Sequence, residues 1–219
     1  YYKDFRQLTS MNRNQVYSVE DAPIGTPEIE KKDFMVERGK AYGLDFSLKY
    51  DSHRWYLWGA YSLGYVNKDY EDSNGDIHTY RTHYDRRHNV NLLATYTAGA
   101  KNQWEFSARW NFGTGFPFTQ VTGFYEELPY NNIDFDPYTE SGYLGILYDE
   151  LNTGQMPTYH RLDIDIKRKF YFSENVLLEA NFGITNVYNR ENIFYIDIVS
   201  AEFIYQLPLM PSLGLTLSF

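Results

Sequence analysis

The chain has 219 residues, a formal net charge of -9 and no cysteine, and 19% of its residues are aromatic. The lack of cysteine excludes a disulfide framework, zinc–thiolate sites and thiol nucleophiles, and the aromatic content argues against a disordered polypeptide. The acidic balance argues against nucleic-acid binding, because phosphate contacts need clustered Lys and Arg. The chain contains no run of roughly 18 apolar residues, so no transmembrane helix is predicted.

The first residues, Tyr1 to Arg6, contain neither an initiator methionine nor a basic-then-apolar signal segment. We therefore interpret the chain as a piece of a longer protein. A short, charged and incomplete strand is predicted from residue 1 to about residue 8.

Apolar and polar residues alternate with a period of two along most of the chain, and no segment shows a competing helical period. The clearest case lies between Gln103 and Gly113, where every second residue is apolar. Because successive side chains of a strand point to opposite faces, such a segment predicts a strand with one apolar and one polar face. The predicted strands are, in chain order, 1–8, 38–50, 55–67, 87–96, 103–113, 161–167, 176–185 and 212–219.

Short and long connections alternate strictly between these strands. The short ones, 51–53, 99–102 and 173–175, consist of turn-forming residues. The long ones, 8–33, 68–83, 115–158 and 189–210, far exceed the 2–5 residues of an ordinary hairpin loop. This rhythm predicts an up-and-down antiparallel sheet with all its long connections at one end.

Alternation alone fits both a soluble β-sandwich, whose apolar faces are packed inside, and a transmembrane barrel, whose apolar face contacts lipid. Several predicted strands exceed the ordinary soluble length of about 5–6 residues, and aromatic residues gather near strand ends as in the girdles of outer-membrane barrels. These features favour the membrane barrel. Since the first strand is a poor closing partner for the last, we expect an arc of a larger barrel.

Six segments in the right order resemble motifs of TonB-dependent outer-membrane receptors of the Bacteroidetes type. They are 37–43 (E-R-G-K-A-Y-G, like G-x-A-x-G), 84–89 (Y-D-R-R-H-N, like Y-D-x-R-H-x), 111–117 (N-F-G-T-G-F-P, like W-x-x-G-T-G-x-P), 157–163 (P-T-Y-H-R-L-D, like P-x-Y-H-R-L-D), 186–192 (N-V-Y-N-R-E-N, like N-V-(F/Y)-N-R-x-N) and 206–214 (Q-L-P-L-M-P-S-L-G), which precedes the terminal strand. The final Phe219 also resembles the C-terminal aromatic signal that is read during outer-membrane assembly.

The resemblance implies that residues 1–219 form about eight strands, the C-terminal arc of a roughly 22-stranded transmembrane antiparallel β-barrel with a plugged lumen. The plug and the earlier strands are missing. The intact receptor would lie in the bacterial outer membrane, bind a scarce solute (a glycan, peptide or metal chelate) and import it with energy relayed by TonB. The implied partners are the remainder of the barrel and plug, TonB through the missing plug region, outer-membrane lipid and a surface lipoprotein lid. The solute is not identified.

The long connection 115–157 is rich in aromatic and acidic residues and contains no Lys or Arg. Exposed aromatic side chains can stack on a sugar or peptide ligand, and we take Tyr125, Tyr130 and Tyr138 as candidate substrate-binding residues. The alternative is that they pack the loop against its neighbours. The acidic residues fit either a calcium site or a solvated outer loop.

His83, Asp85 and His88 suggest a metal site, but alternation places His88 on the opposite face, so a structural role is favoured and no metal is predicted. Paired Asp163 and Asp165 suggest acid–base chemistry.

The basic residues Arg161 and Lys167 beside that pair favour salt bridges of a wet lumen instead. No catalytic motif is present, so we predict neither an enzyme nor a cofactor.

Two further alternatives stay open. The chain could be an autonomous small outer-membrane barrel with a structural or adhesive role, or a soluble β-sandwich binding module. An outer-membrane phospholipase-like enzyme is disfavoured, since no spacing suggests a Ser-His pair.

Overall fold

The computed structural model describes residues 1–11, 34–72, 74–127, 143–173, 176–197, 200 and 202–219. These residues form strands and no helix, so the all-β class is confirmed. None of them builds a helix with the length and apolarity needed to cross a bilayer. The strands are β1 (Tyr2–Met11), β2 (Phe34–Asp51), β3 (Trp55–Glu71), β4 (Ile77–Arg81), β5 (His88–Ala98), β6 (Trp104–Gly113), β7 (Pro117–Phe118), β8 (Val121–Glu127), β9 (Tyr143–Tyr148), β10 (Gly154–Gln155), β11 (Tyr159–Tyr171), β12 (Leu177–Thr185), β13 (Ile193–Ile196), β14 (Phe203–Tyr205) and β15 (Met210–Ser218).

Eight long strands form one antiparallel sheet in the order β1-β2-β3-β5-β6-β11-β12-β15, with β4 added beside β3. Each of the eight pairs with the next long strand along the chain. The predicted up-and-down order is therefore confirmed, and the eight predicted strands correspond to these eight long ones, to which β4 and shorter strands are added. Within the described residues β1 and β15 are the two edges of the sheet, and no pairing closes it.

Three of the four long connections contain hairpins that the sequence did not predict. β3 continues to Glu71 and pairs with β4, β8 pairs with β9, and β13 pairs with β14. A further short ladder joins β7 to β10. These ladders satisfy backbone N–H and C=O groups that a long loop would leave to water.

The turn that joins β3 to β4 depends on one carboxylate. Asp72 accepts hydrogen bonds from the backbone amides of Asn74 (2.9 Å) and Asp76 (2.8 Å) and from Nε2 of His78 (3.0 Å). The hydrogen bond from Asp76 and then that from His78 lower the pKa of Asp72 below its ordinary value of 3.8.

We therefore expect a pH-dependent turn. A carboxyl group whose pKa is lower in the folded state stabilises that state above the unfolded pKa, and this contribution is lost as the pH falls through the folded pKa. Amide hydrogen exchange of Asn74 and Asp76 should speed up, relative to the intrinsic rate, only below about pH 4. The Asp72→Asn variant should show no such step, and an unchanged step in that variant would contradict the prediction.

One face of the sheet is apolar across every strand from β2 to β15. Cross-strand registers align its side chains into continuous rows. Two such rows are Tyr50-Leu57-Ala94-Ala108-Ile164-Ile184-Pro211 and Trp55-Tyr96-Phe106-Ile166-Phe182-Leu213. These side chains are not packed into a core: Leu213 is 76% exposed and Leu215 is 65% exposed. Among the described residues, and apart from Pro117, Ala41 is the one buried hydrophobic side chain.

The opposite face carries the charged and amide side chains. Lys167 pairs with Glu105 and Lys169 pairs with Glu179, each with 3.6 Å between Nζ and Oε1. Of the predicted salt bridges, that of Asp163 is present, with 2.9 Å between its Oδ2 and Nη2 of Arg161. Asp165 has no such partner among the described residues, since Lys167 pairs with Glu105 instead. The polar face thus carries charged side chains, several of them in ion pairs, and is suited to contact with water.

At the end of the sheet that carries the long connections, buried asparagines form hydrogen bonds between neighbouring segments. The backbone amide of Asn186 donates to Oδ1 of Asp163 (3.0 Å), and its side-chain amide donates to the carbonyls of Arg190 (2.9 Å) and Leu207 (3.1 Å). Asn192 exchanges two hydrogen bonds with the backbone of His160, at 3.2 and 3.0 Å. Because these amides replace missing ladder partners, the connections after β12 lie firmly against the start of β11.

Candidate apolar surface and loop-end cleft

The apolar face has the dimensions of a membrane-spanning band. On β2 the side chains from Tyr42 to Tyr50 are apolar at every second position, a distance of eight residue rises or roughly 26 Å. A transmembrane β-strand tilted by about 45° needs about 9–11 residues, so this nine-residue run reaches the lower end of that range. Immediately beyond Tyr42, the same face carries Lys40 and Arg38, so charge begins where the apolar run ends.

Aromatic pairs mark both ends of this band. At the end with the long connections, the rings of Tyr42 and Tyr65 stack with centroids 5.2 Å apart. At the end with the short turns, the centroids of Trp55 and Tyr96 lie 4.6 Å apart. Tyr and Trp carry an apolar body and a polar tip, which suits a boundary between an apolar medium and water.

A cation lies on the apolar face at the short-turn end. Cζ of Arg168 lies 4.5 Å from the ring centroids of both Trp104 and Phe170. An arginine beside aromatic rings gains cation–π stabilisation and can extend its charged head toward water. Arg168 therefore marks the boundary of the apolar band at the end of the sheet that carries the short turns.

The sequence-predicted substrate residues are not brought together by the described part of the chain. Tyr125 lies on β8, exposed, with its ring over Gly145, whereas Tyr130 and Tyr138 lie outside the described residues. Three of the seven acidic residues considered for calcium lie outside them as well, in the undescribed range 128–142. Phe219 directly follows β15 and is 96% exposed. Its role as an assembly signal stays a prediction.

The three residues considered for a metal site have separate partners. Nδ1 of His88 lies 2.9 Å from the hydroxyl of Tyr61, and His83 makes an edge contact with Tyr84. The carboxylate of Asp85 forms salt bridges with two arginines. Within the described residues, no three or more His, Asp or Glu side chains are grouped so as to hold a metal ion.

Asp85 is the most completely buried charge of the described residues, with an exposure of 0%. Its Oδ2 lies 2.9 Å from Nε of Arg81 and 3.6 Å from Nε of Arg87, and its Oδ1 accepts the amide of Val66 at 3.1 Å. Val66 lies where β3 stops pairing with β5 and starts pairing with β4. Asp85 therefore fills the gap at this branch point of the sheet.

A second buried carboxylate joins four strands. Glu37 on β2 forms a salt bridge with Lys68 on β3, at 2.8 Å, and accepts the hydroxyl of Tyr80 on β4 at 2.9 Å. The hydroxyl of Ser10 on β1 donates to the same carboxylate. Sequence alternation identified neither cluster, because their partners are as far apart as 58 positions in the chain.

A cleft of about 390 Å³ opens at the loop end of the polar face, between the segments around Phe116 and Tyr159 and the hairpin β13–β14. Arg86 extends over Gly113, whose absent Cβ leaves the room. Its Cζ lies 4.2 Å from the ring centroid of Phe116 and 5.4 Å from that of Tyr159, and its Nε donates to the carbonyl of Thr114 at 3.1 Å. Burial lowers the pKa of Arg86.

The other side of the cleft combines a second arginine with aromatic side chains. Nη2 of Arg190 donates to the carbonyl of Thr158 at 2.8 Å, while its Nε is buried without a hydrogen-bond partner. Phe194, Phe203 and Tyr205 of the hairpin complete the wall. The cleft thus presents two guanidinium groups between aromatic surfaces.

The floor of the cleft requires glycine at position 115. A Cβ at this position would lie 1.6 Å from the carbonyl oxygen of Met156, whose amide in turn donates to Phe116. We expect Gly115→Ala to force these segments apart and to cost about 1–3 kcal/mol or more in unfolding free energy. Proteolysis between residues 114 and 158 should become faster.

Gly123→Ala is the matched control, since its nearest neighbour would be Cδ1 of Leu147 at an ordinary 3.7 Å. Equal protease sensitivity of the two variants would show that the close contact at Gly115 does not require glycine.

Comparisons with known proteins give no further identification. No family model matches the chain, no curated protein is detectably similar to it, and no solved structure matches its fold.

Proposed function

We propose that this chain is part of the wall of an outer-membrane β-barrel, and that the barrel is a TonB-dependent receptor that imports a scarce solute. One observation carries the membrane proposal: the sheet has a continuous, exposed apolar face, backed by a face of paired charges. The receptor assignment rests on the six motif segments and on their order. In this proposal the chain supplies barrel wall and extracellular loops and catalyses no reaction.

The energetics favour an apolar medium against the exposed face. Leaving a Leu or Phe side chain in water, rather than burying it, costs about 1.5–3 kcal/mol, and this face exposes many, among them Leu44, Phe46 and Leu213. Soluble monomers rarely expose apolar patches larger than a few hundred Å². A β-sandwich would cover the face with a second layer, and the described residues place none there.

The two sheet edges support an arc rather than a complete barrel. Backbone groups on the outer sides of β1 and β15 have no ladder partner in the described part of the chain. In hydrocarbon such groups must be paired, and only a closed barrel pairs all of them. We propose that the remaining strands of the receptor barrel supply these partners, that TonB acts through the plug, and that a surface lipoprotein covers the loops. An autonomous barrel would need β1 to pair with β15.

Two adjacent positions on β6 test which face contacts lipid. Because the chain contains no cysteine, Ser107→Cys on the polar face and Ala108→Cys on the apolar face are matched single-thiol variants. Only the thiolate reacts readily with a water-soluble methanethiosulfonate, and a low dielectric suppresses thiolate formation. In isolated outer membranes we expect the thiol at position 107 to be labelled and the thiol at position 108 to be protected.

Dissolving the membranes in denaturant should make both thiols reactive, which controls for the presence of the protein. Equal labelling of both positions in intact membranes, or protection of position 107 alone, would refute a lipid-facing apolar surface.

A further inference from the structure

We propose that the loop-end cleft binds an anionic group, such as phosphate, sulfate or carboxylate, carried by a solute with a flat apolar body. This inference deepens the proposed function, because it names the chemical class of the solute. The cleft belongs to the polar face, since Tyr159, Arg161 and Asp163 alternate with the apolar-face residues of β11. Its ligand would therefore come from water and not from the lipid phase.

The first argument is charge. Arg86 and Arg190 line one cleft, and neither forms a salt bridge with an acidic residue in the described part of the chain. Glu191 also lines the cleft and pairs with neither arginine. In a chain of net charge -9, two guanidinium groups without carboxylate partners form a local positive site. An anion would offset the cost of burying the Arg86 guanidinium.

The second argument is the direction of the donors. Each guanidinium is held by one carbonyl: Nε of Arg86 by Thr114, at 3.1 Å, and Nη2 of Arg190 by Thr158, at 2.8 Å. The planar guanidinium has five N–H donors, so most remain for a ligand. The stacking of Arg86 on Phe116 fixes its plane, which leaves the fork preorganised for bidentate contact with an oxyanion.

The third argument is shape. The cleft volume of about 390 Å³ falls within the range of small-ligand pockets, which are mostly apolar with a few placed polar groups. Phe194, Phe203 and Tyr205 line the same cleft as the two arginines. Rings on that wall can stack on a flat body while the arginines hold its charged end.

Phenyl phosphate is a suitable probe, with phenol and inorganic phosphate as its two halves. We expect detergent-purified protein to bind phenyl phosphate, by saturation-transfer NMR and titration, at least about tenfold more tightly than either half. Phenol binding as tightly as phenyl phosphate would overturn the assignment of an anion site.

Arg86→Gln and Arg190→Gln should each weaken phenyl phosphate binding by about tenfold or more. Arg54→Gln is the matched control, because Arg54 lies in the short turn after β2, at the opposite end of the sheet, and it should leave affinity unchanged. Unchanged affinity in both cleft variants, or an equal loss in Arg54→Gln, would overturn the proposal.

Arg86→Lys carries the test if Arg86→Gln does not fold, since lysine keeps the charge but lacks the fork. It should still lose affinity severalfold, and wild-type affinity would contradict bidentate binding. This titration needs no membrane, whereas the thiol labelling of β6 needs no ligand. Failure of one proposal is therefore distinguishable from failure of the other.

Discussion

Replacing Leu213 with arginine should strongly destabilise the protein in a bilayer, although the side chain contacts little of the protein itself. Leu213 is 76% exposed, and an exposed surface substitution in water usually changes stability by less than about 0.5 kcal/mol. On the lipid face of a barrel, arginine costs up to about 2–4 kcal/mol at the bilayer midplane and less nearer an interface. The measurement is denaturant unfolding of the protein from lipid vesicles, followed by tryptophan fluorescence.

Thr216→Arg is the control on the same strand. Thr216 is also exposed but lies on the polar face, in register with Glu179, so an added cation there should be nearly neutral. If water and not lipid contacted the apolar face, both introduced arginines would be exposed to water and the two variants would be equally stable. Equal stability of both variants in vesicles would therefore contradict the proposed orientation of the sheet.

The main sheet was predictable from sequence because its information is local. Alternation with period two in a segment such as 103–113 defines a strand and its two faces without reference to any other segment. Each short turn then identifies two neighbouring antiparallel strands, and the regular alternation of short and long connections suggests the remaining neighbours. The salt bridge of Asp163 with Arg161 followed for the same reason, because both side chains lie on one face of one strand.

The hairpins in the long connections were not predictable in this way. β8 and β9 are separated by the undescribed residues 128–142, and their pairing is not marked by a two-residue turn signal such as Asn-Gly. Strands within these turn-rich, polar segments were therefore not predicted from the sequence. The extension of β3 to Glu71 was missed because the alternation weakens in the charged run after Tyr65.

The cleft and the buried carboxylates depend on contacts between distant segments. Arg86, Phe116, Tyr159 and Arg190 come from four separate segments, and alternation cannot show that these meet. Each of the four nevertheless lies within one of the six segments that resemble receptor motifs. The motif residues thus converge at one end of the sheet, where glycine and asparagine permit close backbone approach. This gives a structural reason for those residue types at those positions.

Asp85 leads to the second large expected effect. Replacing it with leucine would leave Nε of Arg81 and the amide of Val66 without their shared acceptor, and Arg87 without its neighbouring counter-charge. Removing one partner of a buried ion pair costs about 3–5 kcal/mol, and the lower value applies here because the remaining side chains of Arg81 and Arg87 are 26% and 39% exposed. We expect Asp85→Leu to lower the unfolding free energy by about that amount, and Asp85→Asn to lower it less, since asparagine retains an oxygen for the amide of Val66.

Hydrogen exchange locates this effect at the branch point of the sheet. In the wild type, the amide of Val66 is bonded to Asp85 at 3.1 Å and should exchange slowly. In Asp85→Leu it should exchange much faster, while the amides at the centre of β6 change only as far as global stability does. Asp51→Leu, which removes an exposed carboxylate at the end of β2, should leave both sets unchanged. If Val66 stayed protected in Asp85→Leu, the carboxylate would not be what holds the branch between β4 and β5, and the burial of its charge would need a different cause.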